Sequence, residues 1–256
     1  MDKRQKNAVA HYQELIQKSE NLASTVGRST NELGKAVDIC ADIETKLDML
    51  AGKKLLEIGC GYGELTKYML ELYKKYQHSV VMLDIEPVID SIKKNFSSYL
   101  NEKIELINGV FPYESNLKET HKSFFDYIIV YSVIHYTDNP KAFVLNCIDY
   151  LAPGGKLLIA DLPNENKRGR FLATEFGRKF EANWKEVSLD EIPNYPDHKA
   201  YQKSGLHNTP QISDVFICEV FQELRDKGLD IFLLPQSNKL PYHYTREDLL
   251  IVKPPK

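Results

Sequence analysis

Leu55-Leu56-Glu57-Ile58-Gly59-Cys60-Gly61-Tyr62-Gly63 is a short apolar run carrying one acid, followed by glycines at alternate positions. The run reads as a buried strand. Glycine has no Cβ and tolerates positive φ, so a strand ending in glycines brings its backbone close to a bound ligand, or simply makes a tight strand-to-helix turn. Leu65, Tyr68, Met69, Leu72 and Tyr76 then recur at helical spacing, with Glu64, Lys67, Glu71, Lys74 and Lys75 on the other faces, and predict a helix directly after the loop. A dinucleotide loop of the form G-x-G-x-x-G needs its last glycine at position 64, and this chain has Glu64 there.

Working outward, Ser79-Val80-Val81-Met82-Leu83-Asp84 is β-branched and apolar, as suits a strand buried on both faces, and ends in an acid about twenty residues past the loop. Asp84 is placed to accept hydrogen bonds from ribose hydroxyls, or to cap the turn at Glu86-Pro87. A third strand is expected at Ile104–Ile107, followed by Asn108-Gly109-Val110. A fourth runs through Phe125-Asp126-Tyr127-Ile128-Ile129-Val130-Tyr131 into Ser132-Val133-Ile134-His135-Tyr136, at the strand end where an open α/β sheet holds its ligand. Leu151-Ala152-Pro153-Gly154-Gly155 should stop a helix and turn the chain into a fifth strand ending near Ala160.

The E-x-G-x-G-x-G pattern from Glu57 to Gly63, the acid-ended second strand, the F-D-x-I opening of the fourth and the L-x-P-G-G turn resemble class I S-adenosylmethionine-dependent methyltransferases over roughly residues 50 to 162. The resemblance implies an α/β fold: a doubly wound, Rossmann-like seven-stranded sheet with helices on both faces. It implies S-adenosyl-L-methionine as cofactor, with Glu57, Gly59, Cys60, Gly61, Tyr62 and Gly63 around its methionine part, and Asp84 and Ile85 at the ribose. The family usually places an acid after the third strand to meet the adenine amino group. Here Asn108, Gly109 and Val110 stand instead, so the contact falls to the Asn108 carbonyl or the Val110 N–H, unless the pair is only an Asn-Gly turn. Tyr131 and Ser132 complete the cofactor set at the end of the fourth strand. Helices ahead of the first strand often lie over the cofactor in this family, which makes Tyr12 and Arg28 candidates for the methionine carboxylate; the alternative is a core tyrosine and a solvated arginine.

Methyl transfer needs a nucleophile placed against the methyl carbon and, for a hydroxyl or a protonated amine, a base. His135 is the candidate, since an unperturbed imidazole titrates near neutrality; its alternative role is packing beside the cofactor. No D/N-P-P-Y element follows the fourth strand, where Tyr131-Ser132-Val133-Ile134 stands, which argues against methylation of nucleobase or glutamine amino groups. A small-molecule O-acceptor stands slightly ahead of an N-acceptor. Size and layout are similar to bacterial methyltransferases acting on sugars, nucleotide-linked or phosphorylated precursors of surface polysaccharide.

At 256 residues and 43% hydrophobic content the chain can bury a full core. Residues 1–50 are expected to form an N-terminal helical cap: a helix over 8–24 with Val9, Tyr12, Leu15 and Ile16 on one face, then one from Thr30 to near Gly52. Residues 51–256 form the methyltransferase domain, with a helical substrate lid at about 162–208. That segment carries Lys167-Arg168-Gly169-Arg170, a candidate anion site or a solvated helix start. A helix after Thr209-Pro210 and strands at Leu229–Leu234 and Asp248–Val252 close the sheet as an antiparallel edge pair. A net charge of −3 offers no basic excess for nucleic acid, and Cys40, Cys60, Cys147 and Cys218 have no metal-binding or redox spacing. The amino terminus leads into a polar helix, and no apolar run is long enough for a membrane span, so a cytoplasmic location is expected. A nicotinamide-dependent oxidoreductase, or a protein that binds the sulfonium without catalysis, are the competing readings.

Overall fold

In a computed structural model, residues 1–18, 34–205 and 211–255 are described. The strands β1 (Lys54–Ile58), β2 (Ser79–Asp84), β3 (Ile104–Asn108), β4 (Phe125–Tyr131), β5 (Leu151–Pro163), β6 (Asp230–Pro235) and β7 (Arg246–Val252) form one seven-stranded sheet in the order β3-β2-β1-β4-β5-β7-β6. β1 to β5 are parallel, and β7 runs antiparallel to both β5 and β6. This is the expected doubly wound sheet, including its antiparallel edge pair.

Strand side chains alternate between faces, and both faces here are covered, so the central strands are apolar throughout. Leu56, Ile58, Ile128, Val130, Leu157 and Ile159 face helices α5 (Pro140–Tyr150) and α9 (Asp214–Asp226), meeting Phe143, Val144, Cys147, Phe216, Val220 and Leu224. Leu55, Val80, Met82, Ile129 and Leu158 face the other way, onto α2 (Ala36–Leu47), α3 (Glu64–Tyr76) and α4 (Glu86–Asn95), meeting Ile39, Ile43, Met69, Tyr73, Ile89 and Ile92.

Several boundaries differ from the sequence reading. The first helix, α1, spans Lys3–Lys18, starting five residues earlier than expected; its expected end at 24 and the Thr30 cap lie outside the described residues. α2 stops at Leu47 because Asp48 turns left-handed (φ 48°), leaving Leu50 exposed. The L-x-P-G-G segment is not a turn before β5 but an irregular start of it: pairing jumps from Phe125↔Leu151 to Tyr127↔Lys156, with Gly154 at φ 76° in the bulge. α9 begins at an N-cap Ser213, whose hydroxyl accepts the Phe216 N–H; Thr209-Pro210 falls outside the described residues. Of the 162–208 segment, the described part to residue 205 carries α6 (Glu165–Leu172), α7 (Glu175–Lys185) and α8 (His198–Lys203). Among the described residues no helix is long and apolar enough to cross a membrane.

Candidate active site

A cleft of about 370 Å³ opens at the carboxyl ends of β1, β2, β4 and β5, where the parallel strands hand over to their loops. Its floor is the glycine loop. Gly59 and Gly61 sit at φ 71° and 62°, and a Cβ on Gly59 would lie 2.4 Å from Val133 Cγ2, so no other residue fits there without displacing the β4 loop. The Thr66 hydroxyl, one turn into α3, donates toward the Cys60 and Gly61 carbonyls and accepts the Gly63 N–H at 3.1 Å, which pins the loop from beneath. Nothing in the glycine pattern had pointed to Thr66.

Beside the loop, Asp84 closes β2. Its Oδ2 accepts the Gly61 N–H at 2.8 Å and its Oδ1 the Ile85 N–H at 2.7 Å, and each oxygen keeps a lone pair for a further donor. Burial pushes Asp84 up to about 6 against these two backbone bonds. Glu57, 4% exposed, accepts the Tyr73 hydroxyl at 2.8 Å; burial drives it to about 8, with the Asp84 charge adding to the rise. Burial likewise raises the Cys60 thiol well above its ordinary value, so it stays protonated.

Glu57, Gly59, Cys60, Gly61, Tyr62, Gly63, Asp84, Ile85, Gly109, Val110, Tyr131, Ser132, Tyr12 and His135 all line this one cleft. Asn108 does not. It is exposed, and the Asn116 amide donates to its backbone carbonyl at 2.7 Å. The expected Val110 N–H contact is also spent, because that group donates to the Glu114 carbonyl at 2.9 Å in a small antiparallel bridge. Arg28 lies outside the described residues.

α1 covers the cleft from the side. Gln5 Nε2 donates to the Phe111 carbonyl at 2.8 Å, Arg4 Nη1 to the His135 carbonyl at 3.0 Å, and the Tyr12 and Tyr136 hydroxyls share a hydrogen bond. At the far wall, two residues are left-handed without being glycine: Ser132, just past β4, at φ 58°, and Asp161, inside β5 at the break in its pairing with β7, at φ 61°. Such backbone costs about 1–3 kcal/mol and is held by its surroundings. Asp161 is clamped by Arg246 Nη1, which reaches its carbonyl at 3.0 Å and Oδ2 at 3.2 Å. His135 stands on this wall. Burial, helped by the charges of Arg246 and Arg4 and opposed by Asp161, pulls its ring down to about 4, so it is neutral at pH 7 and a weaker base than the sequence suggested. Sequence reading missed Asp161, Gln236 and Arg246, which no local motif connects.

The basic cluster on α6 is engaged within the protein: Arg168 pairs with Glu181 at 2.8 Å, Arg170 with Asp214 at 2.6 Å, and Lys167 donates to the Arg246 backbone carbonyl at 2.6 Å. None of the three lines the cleft, and Arg168 lines a smaller adjoining pocket with His135 and Arg246.

Residues 56–157 match the family model of a methyltransferase domain, and these residues supply the end of β1, β2 to β4, the glycine loop and Asp84. Over this segment the chain is similar to methyltransferase domains.

Curated relatives are methyltransferases as well. Over 129 residues the chain is 27% identical to the mitochondrial ubiquinone biosynthesis O-methyltransferase of Schizosaccharomyces pombe, covering 49% of this chain and 44% of that one. Over 119 residues it is 33% identical to phosphoethanolamine N-methyltransferase 1 of Triticum aestivum, covering 45% of this chain and 22% of that one. The match thus spans less than half the length of these relatives. Two solved structures share the fold: a Leishmania major S-adenosylmethionine-dependent methyltransferase (TM-score 0.61, 14% identity, 98% of this chain and 83% of that one) and Haemonchus contortus phosphoethanolamine N-methyltransferase 1 in complex with phosphoethanolamine and S-adenosylhomocysteine (TM-score 0.60, 16% identity, 99% and 49%).

The similarity to methyltransferase domains implies S-adenosylmethionine as cofactor. The residues present fit it. The cleft volume lies in the range of small-molecule sites, about 300–1,000 Å³, and the loop offers backbone free of Cβ atoms next to a half-buried carboxylate with unused acceptor capacity.

Proposed function

We propose that this chain transfers a methyl group from S-adenosylmethionine to a hydroxyl or amine of a small molecule. One observation carries the reading: a single cleft joins the glycine loop and Asp84 to a polar wall of His135, Asp161, Gln236 and Arg246, so donor and acceptor halves share one enclosed space. Gly59 to Gly63 would hold the methionine part, Asp84 the ribose, and Ile85, Gly109, Val110 and Phe111 the base. When bound, the cofactor supplies a sulfonium methyl group for in-line displacement. The chain's own work is to orient the acceptor and keep water out. α1, tied down by Gln5, Arg4 and Tyr12, serves as the cap, and the helices of 162–208 act as the outer lid of the acceptor side. His135, neutral and buried, orients the acceptor more than it removes a proton from it.

The relatives include both an O- and an N-methyltransferase acting on small molecules, which supports the acceptor class at that level. A sugar or a nucleotide-linked or phosphorylated precursor of surface polysaccharide belongs in the first acceptor panel on the similarity of layout alone. Calorimetry with S-adenosylmethionine, S-adenosylhomocysteine and NAD is the test. Binding of the first two and not the third supports the proposal; binding of NAD alone returns the oxidoreductase reading, and sulfonium binding without methylation of any acceptor panel returns the non-catalytic one.

A further inference from the structure

Gln236, 6% exposed in the loop after β6, has its amide orientation decided by two acids. Its Nε2 lies 3.2 Å from Asp161 Oδ1 and 3.3 Å from Asp248 Oδ1. Exchanging the amide atoms would set Oε1 against two carboxylates, so the NH₂ group points at the acids. Oε1 is left buried on the cleft wall with no donor. A buried acceptor without a partner is costly, and the cost is relieved when a ligand brings a donor.

Two more unfilled positions share that wall. Asp161 is set at the break in β5–β7 pairing between Ile159 and Leu162, where its left-handed backbone brings it to the cleft. Its Oδ1 takes one bond from Gln236 and its Oδ2 one from Arg246, and a carboxylate oxygen accepts two. His135 Nδ1 is buried without a partner. Arg246 Nη1, meanwhile, is committed to Asp161. The wall therefore offers acceptors in excess, and a single O–H or N–H would leave part of it unmet.

We propose that Gln236 and Asp161 form the acceptor subsite of the methyl transfer proposed above, and that the subsite takes a molecule with two neighbouring donors, a vicinal diol or an amino alcohol. Gln236 Oε1 holds one donor and Asp161 the other, with His135 Nδ1 against the same group. The inference rests on the methyltransferase reading for the reaction, but the subsite itself is read from the protein alone.

The test needs no knowledge of the natural acceptor. Crystals of the full chain, grown with and without S-adenosylhomocysteine, are soaked in ethylene glycol, in ethanolamine and in 1,2-dimethoxyethane, which has a similar skeleton and no donor. The expected result is the diol and the amino alcohol with a donor atom within hydrogen-bond distance of Gln236 Oε1, and no dimethoxyethane there. NMR titration should show ethanolamine affinity falling about tenfold in Gln236→Met, the loss of roughly one buried hydrogen bond. Dimethoxyethane seated at the same place, or all three probes found only elsewhere, overturns the proposal whatever the variant does. If ethanolamine seats at Gln236 while S-adenosylhomocysteine never binds, the subsite stands and the methyltransferase reading falls.

Discussion

Asp84 Oδ2 accepts the Gly61 N–H at 2.8 Å, so the last residue of β2 holds the loop that follows β1. One carboxylate thereby shapes the floor of the cleft, and in the proposed function it also accepts the ribose hydroxyls. Asp84→Asn replaces one acceptor oxygen with a donor facing Gly61 or Ile85. Calorimetry should show S-adenosylhomocysteine affinity down about 10- to 100-fold. Because burial sets Asp84 near 6, affinity in the wild type should also fall as pH drops through 6, and this slope should vanish in the variant.

His135 titrates near 4 in the folded chain, below its ordinary value of 6.5. Between these values the unfolded chain holds more protons, so this residue makes stability fall as pH drops from about 6.5 to 4 and contributes no slope above. Urea unfolding at pH 7 and pH 5 should show a smaller loss in His135→Asn than in wild type. An equal loss in both would mean that the ring titrates normally.

Glu57 has the opposite sign. With its carboxyl raised from 4.5 to about 8, the folded chain holds more protons across that window, and stability is lost as pH climbs through it. Glu57→Gln keeps an oxygen for the Tyr73 hydroxyl and has no charge to bury. Unfolding at pH 8.5 should find the variant at least as stable as wild type, with the gap closing toward pH 4.5.

Gly59→Ala combines a left-handed φ with a Cβ 2.4 Å from Val133 Cγ2. A stability loss of about 1–3 kcal/mol is expected, together with loss of S-adenosylhomocysteine binding. Retained stability and affinity would show that the β4 loop yields easily.

Arg4 ties α1 to the His135 carbonyl at 3.0 Å. In Arg4→Ala, hydrogen exchange should quicken in Lys3–Lys18 while β1 and β4 keep their protection. Unchanged exchange in α1 would place the holding force in Gln5 and Tyr12 instead.

Most of the cleft floor was legible in the chain because it is local. Glu57 to Gly63 sit within seven residues, and the apolar run before them and helical spacing after them leave one way to fold. Asp84 followed for the same reason, as the end of the next buried run. Asn108 and the Val110 N–H failed because their fate depends on Glu114 and Asn116, whose backbone bridge and amide no periodicity announces. His135 was found by position, but its weak basicity came from burial and from Arg246 and Arg4, both more than a hundred residues away in sequence.

Read alone, the amino-acid order determined the layered sheet, its strands and the glycine loop, since hydrophobic period and backbone freedom are properties of neighbouring residues. Tertiary structure alone decided the polar wall of the cleft. Asp161, Gln236, Arg246 and Asp248 meet because β7 runs antiparallel between β5 and β6, and the ionic and hydrogen-bonding state of each is set by partners that only this pairing brings within reach.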